Sequence, residues 1–145
     1  MYKLVDQNDP ILHEIADDIS VMDNIDQLIK EMFLILYDNK GVGLAAPQIG
    51  ISRRIIVINT SQYDNGIVCA LINPKIIATN NFKIKTEEGC ISCPGIFKII
   101  ERPSEIIIRT GIEKSSCLYL SFKDISAVVV QHEIDHLDGI LITDK

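Results

Sequence analysis

VVVQHEIDHLDGILITDK, residues 128–145, contains H-E-x-x-H as His132, Glu133 and His136. Residues four apart share one face of a helix, so both imidazoles can grip a single metal ion. The glutamate between them can then reach a water on that ion. The helix is legible around the motif. Asp124 is a candidate N-cap, Ile125, Val128, Val129, His132 and His136 fall on one face, and Gly139 stands at a natural stop. Such a site usually takes a third protein ligand and leaves a fourth position to water. Residues 137–145 hold no His, Cys or Glu. The extended peptidase form H-E-x-x-H-x-x-G-x-x-H matches through Gly139 but has Ile142 in its last place. The third ligand is therefore sought upstream, among His13, the carboxylates and four cysteines.

The rest of the chain frames this motif. At 145 residues, 47% apolar and 23% charged, the composition predicts one soluble, ordered domain spanning 1–145. A net charge of -6 argues against nucleic acid as a partner, because phosphate binding needs a basic face. No apolar run approaches the ~18 residues that cross a bilayer. The opening MYKLVDQNDPILHEI lacks the apolar centre of a signal peptide. A cytoplasmic protein without membrane contact is expected. Four cysteines (Cys69, Cys90, Cys93, Cys117) are too few for a disulfide scaffold at this length. That leaves buried thiols, metal ligands or catalytic groups.

Helical spacing of Ile25, Leu28, Ile29, Met32, Phe33 and Leu36 predicts a helix from about Ile25 to Tyr37, with Asp23 as its N-cap. Gly41 and Gly43 end that pattern. The β-branched runs RRIIVINT (53–60), IVCALINPKII (67–77), SEIIIRTG (104–111) and SSCLYLSF (115–122) read as strands. With no helix between successive runs, antiparallel or mixed sheets follow. The predicted fold is α+β, with an N-terminal amphipathic helix and antiparallel or mixed sheets packed around a central metal-binding helix.

EGCISCPG (88–95) supplies two cysteines in C-x-x-C spacing beside Pro94 and Gly95, which mark irregular backbone. A redox pair normally opens a helix, and Pro94 and Gly95 speak against one here. A closed structural zinc site could use Cys90, Cys93, His132 and His136. Two buried thiols are the third reading. Spacing makes Cys90 or Cys93 a candidate ligand and does not separate them. GVGLAAPQ, taken alone, is a helix-to-strand connector that lacks the lysine of a phosphate loop.

GVGLAAPQIG (41–50), EGCISCPG (88–95) and QHEIDHLDG (131–139) together resemble, in order and separation, the three motifs of peptide deformylases. INPKI (72–76) and ERP (101–103) are similar as well, so the resemblance runs over nearly the whole chain. It implies an enzyme that removes the formyl group from the N-terminal formyl-methionine of new proteins. It also implies one Fe2+ ion per chain, replaceable by Zn2+, Ni2+ or Co2+. The ligands it implies are Cys90, His132 and His136, with Cys93 left to packing. Glu133 becomes the proton carrier, while the Gln48 side-chain amide and the Ile91 backbone N–H face the reacting carbonyl. Val42 and Gly43 match positions that pair with the substrate backbone, and Glu88 and Gly89 join them as substrate-binding residues. Ile125, Val128 and Val129 flank the metal as an apolar pocket for the methionine side chain.

The sequence also departs from the family pattern. Ile91 replaces the usual leucine, Phe97 stands where some members carry arginine, and Asp124 replaces a common glycine. The chain resembles short forms, found among phage-encoded members, that lack the C-terminal helix used at the ribosome. The implied partners are formyl-methionyl N-termini of nascent peptides, with transient ribosome proximity, in the cytoplasm of a host if phage-encoded. Two other readings share these residues: a metalloprotease cleaving internal bonds, and a structural zinc module closed by Cys93.

Overall fold

The computed structural model describes residues 1–145. Helix α1 spans Asp26–Asp38, and strands β1 (Gly43–Ala45), β2 (Ile55–Asn59), β3 (Val68–Ile72) and β4 (Lys75–Thr79) follow. Then come β5 (Lys83–Cys90), β6 (Cys93–Pro103), β7 (Glu105–Thr110), β8 (Leu118–Lys123) and helix α2 (Asp124–Leu137). The strands form sheets in the orders β1-β2-β3, β4-β7-β8 and β5-β6. Every strand pair is antiparallel; the one parallel bridge, Asp17 to Arg53, lies outside the strands. The architecture is α+β, with antiparallel sheets and two helices.

Two apolar clusters meet at β2. Ile56 and Ile58 join one cluster with Leu71, Ile106, Ile108, Phe122, Val130, Ile134 and Leu137. Ile55 and Val57 join the other with Met32, Leu36, Leu44 and Ile49. Side chains alternate across a strand, so a strand covered on both faces needs an unbroken apolar run, and IIVI supplies it. In α2, Ser126 through Ile134 are all buried, whereas in α1 only Met32 and Leu36 are.

Several expectations shift at the ends of elements. Asp23 does not cap α1: the N-cap is Ile25, without a side-chain bond. The Asp23 carboxylate is used elsewhere, accepting from the Ser20 N–H at 2.8 Å and from Arg53. Asp124 is the first residue of α2, not its cap, and adopts φ 55. Its carboxylate accepts from Asn65 Nδ2 at 3.1 Å, which helps hold a conformation that glycine would adopt freely. Gly139 does end α2, with φ 75. IVCALINPKII is divided at Asn73–Pro74 between β3 and β4, which belong to different sheets. The β5–β6 hairpin was not expected at all. Its sequence mixes lysine, glutamate, glycine and proline, residues depleted in strands. Cross-strand pairing runs from Lys83–Pro103 up to Cys90–Cys93, around a turn of Ile91 and Ser92.

Candidate functional site

Helix α2 places His132 and His136 one turn apart, their rings edge-to-face with centroids 5.0 Å apart. The tip of the β5–β6 hairpin brings Cys90 to them, its Sγ lying 3.3 Å from His136 Nε2. One donor atom from each of Cys90, His132 and His136 lies within 4.8 Å of the others. Bonds of about 2.3 Å to sulfur and 2.0 Å to nitrogen, in tetrahedral geometry, set donors roughly 3.3–3.5 Å apart. The donor set therefore suits a cation with little movement. Cys93 lies outside this set, although it is only 2% exposed and sits opposite Cys90.

Each imidazole is treated differently. His132 Nδ1 lies 3.0 Å from Glu88 Oε1. Glu88 is gripped in turn by Arg102, with Nε 2.6 Å from Oε2 and Nη2 2.9 Å from Oε1. Arg102 also reaches Asp135 Oδ2 at 2.9 Å. A carboxylate on Nδ1 favours the proton there and leaves the Nε2 lone pair for a cation. His136 Nδ1, by contrast, is buried with no partner. Burial, aided by the charges of His132 and Arg102, draws His136 down to about 3, so this imidazole is neutral. Burial also pulls His132 down, but hydrogen bonds with Cys90 and Glu88 and the Glu133 charge raise it to about 10, so a cation binding at Nε2 would displace a proton from it. Glu88 is buried too, yet His132 and Arg102 hold its carboxyl below the usual range.

Glu133 Oε1 lies 3.9 Å from His132 Nε2, and its Oε2 is buried without a partner. Burial pushes this carboxyl up to about 7, against the pull of the His132 and Arg102 charges. Gln48 is fully buried and pinned at both ends. Its Oε1 accepts from the Ala45 N–H at 2.8 Å, and its Nε2 donates to Ser92 Oγ at 2.9 Å and to Cys90 Sγ at 3.5 Å. Burial pushes the Cys93 thiol up, reinforced by the neighbouring Cys90 sulfur.

Gln48, Cys90, Cys93, His132 and Glu133 line a cleft of about 440 Å³, together with Val42, Gly43, Gly89, Ile91, Ile125, Val128 and Val129. A larger, more polar hollow of about 590 Å³, lined by Arg54, Lys75, Arg109 and Asp138, contains none of the candidate site residues. A Cβ on Gly43 would fall 2.6 Å from Glu133 Oε1 and 2.8 Å from Val129 Cγ1, so any side chain there would displace Glu133 or Val129. The Val42 carbonyl accepts the Asn59 N–H at 2.8 Å. Antiparallel bonds alternate, so the Gly43 amide groups point to the free edge of β1, and Val42 also lines the cleft. Glu88 lines the cleft, but both of its oxygens are engaged by His132 and Arg102. Gly89 lies beneath the ring of Phe97, which is 63% exposed at the rim.

Three residues of this arrangement were not singled out from the sequence: Ser92, Arg102 and Asp135. ERP flagged Arg102 only as a point of similarity. Asp135 follows His132 by three helical positions, the spacing of a shared face.

Comparisons with known proteins identify the family. The family model described as polypeptide deformylase matches residues 1–145. Peptide deformylase of Hydrogenovibrio crunogenus is 42% identical over 134 residues, covering 92% of this chain and 78% of the relative. That of Fusobacterium nucleatum is 38% identical over 148 residues, covering 100% and 83%. The crystal structure of peptide deformylase from Thermotoga maritima superposes with a TM-score of 0.90 at 36% identity, covering 100% of this chain and 97% of that one. A Met-Ala-Ser-bound class I type b peptide deformylase from Acinetobacter baumannii gives a TM-score of 0.88 at 28% identity, covering 99% and 97%. A match across the full length, shared by sequence and by fold, places this chain in the polypeptide deformylase family.

Proposed function

We propose that this chain hydrolyses the formyl amide of formyl-methionyl N-termini on nascent peptides, releasing formate and a free amino group. The observation that carries this reading is the convergence of Cys90, His132 and His136 beside Glu133 in an apolar cleft. One divalent ion would be held by those three donors, with α2 as the central metal-binding helix. We assign Fe2+ as that ion, with Zn2+, Ni2+ or Co2+ able to replace it, on family grounds. When bound, such an ion supplies Lewis acidity toward a water and the formyl oxygen.

The chain's own residues do the rest. Glu133 takes a proton from the attacking water through its unpartnered oxygen and returns it to the departing amine. The Gln48 amide and the Ile91 N–H face the carbonyl oxygen as charge develops on it. The contact from Gln48 to the Cys90 sulfur is its weaker one, and a carbonyl oxygen would replace it. Ser92 holds the amide while this happens. Glu88 keeps His132 in the tautomer that offers Nε2. The free edge at Gly43 pairs with the peptide backbone as an added strand. Ile125, Val128 and Val129 receive the unbranched methionine side chain. We place this work in the cytoplasm, on chains close to the ribosome.

Anaerobic incubation of the iron-, nickel- or cobalt-loaded protein with formyl-Met-Ala-Ser tests the reading. Formate release is expected; its absence with all three metals overturns the assignment. Cleavage of internal bonds in unformylated peptides would point instead to a protease.

A further inference from the structure

Cys93 has no part in the proposed chemistry, yet it is buried directly opposite Cys90 across a two-residue hairpin turn. Directly opposed residues of an antiparallel pair have Cα atoms about 4.5–5.5 Å apart and side chains on the same face. A disulfide needs about 4.4–6.8 Å between Cα atoms, so this pair can be bridged without remodelling the hairpin. Cys90 is half-buried and lines the cleft, where a small oxidant can reach its sulfur. The other two cysteines, Cys69 and Cys117, lie on β3 and just before β8 and line no part of that cleft.

We propose that Cys90 and Cys93 form a peroxide-sensitive pair in which Cys93 traps oxidised Cys90 as a disulfide. In the first step the Cys90 thiol attacks one oxygen of hydrogen peroxide. A sulfur–oxygen bond forms, the O–O bond breaks, and water leaves, giving the sulfenic acid. In the second step the Cys93 sulfur attacks the Cys90 sulfur. The S–S bond forms, the S–O bond breaks, and the hydroxyl leaves as water with the Cys93 proton. The two thiols lose two electrons and two protons in total, and one peroxide becomes two waters. The disulfide removes the sulfur donor from the metal site reversibly. Without Cys93, oxidation of Cys90 would continue to the sulfinic acid, which ordinary thiol reductants do not reverse.

This inference rests on Cys90 being the sulfur ligand. The test treats zinc-loaded wild type, Cys93→Ala and Cys93→Val with hydrogen peroxide; the valine variant keeps an apolar side chain in the buried position. Intact mass, peptide mapping of residues 88–98 and bound zinc are read before and after dithiothreitol. Wild type is expected to lose two hydrogens in a Cys90–Cys93 crosslink, release zinc, and rebind it after reduction. Both variants are expected to gain two oxygens on Cys90 and to stay zinc-free after reduction. The proposal is overturned if wild type carries those oxygens while Cys93 remains alkylatable, or if the variants recover as fully as wild type. Zinc retained alongside a mapped crosslink supports the redox pair and overturns Cys90 as the ligand.

Discussion

Glu133 is held between His132 and Gly43 with one carboxylate oxygen free of protein partners, an arrangement suited to a proton carrier. Glu133→Gln preserves shape and removes the base. It should lower kcat by about 10²- to 10⁴-fold, with the metal content of the purified protein unchanged. Ser92 acts one step further out. Its hydroxyl is the stronger of the two acceptors on the Gln48 amide nitrogen. Losing one hydrogen bond costs about 1 kcal/mol, or roughly fivefold in rate. Ser92→Ala should therefore lower kcat by about that factor with KM little changed, and Ser92→Thr should recover it. A similar loss in Ser92→Thr, measured by steady-state formate release, would remove Ser92 from the positioning role. Neither Ser92 nor Arg102 could be assigned from the chain alone. A serine in a turn and an arginine in a strand acquire their meaning only from what the hairpin brings beside them.

At the level of elements, α2 was the most legible part of the molecule, and the β5–β6 hairpin the least. The helix announces itself through apolar residues at helical spacing and a glycine stop. Gly139 adopts φ 75, and a Cβ there would lie 2.7 Å from the His13 carbonyl. Gly139→Ala should destabilise the protein by roughly 1–3 kcal/mol, read as a lower denaturation midpoint. An unchanged midpoint would mean that the turn after α2 relaxes freely. In the hairpin, Ile84, Thr86 and Glu88 alternate with exposed lysines and glutamate, but that period-two signal is carried by residues of weak strand preference. Two cysteines on one hairpin face cannot be ranked by spacing. The contact of Cys90 with His136 is what separates them.

Across the whole molecule, β2 is the shared wall between two apolar clusters, and polar ties fix the segments around it. Asp23, near the start of α1, pairs with Arg53, just before β2. A backbone hydrogen bond from Ser20 comes first among the causes that hold the Asp23 carboxyl below its ordinary 3.8, with the Arg53 guanidinium adding to it. A carboxyl lowered by folding contributes stability above its unfolded pKa and loses it as pH falls through the folded one. Asp23→Asn should be less stable than wild type at neutral pH, and the gap should close as pH falls below 3.8. Denaturant midpoints across that range would show it, and a gap independent of pH would assign the loss to packing.

The proposed metal donors are divided between two elements, Cys90 on the hairpin and the histidines on α2, 46 positions apart between Cys90 and His136. An ion spanning them joins two segments that could otherwise fray on separate timescales. Amide hydrogens of β5 and of α2 should then exchange with solvent as one cooperative unit in the loaded protein, and as two units once the ion is stripped. The same division makes the hairpin and the helix each other's lock, so local breathing of either becomes an event that the other must share.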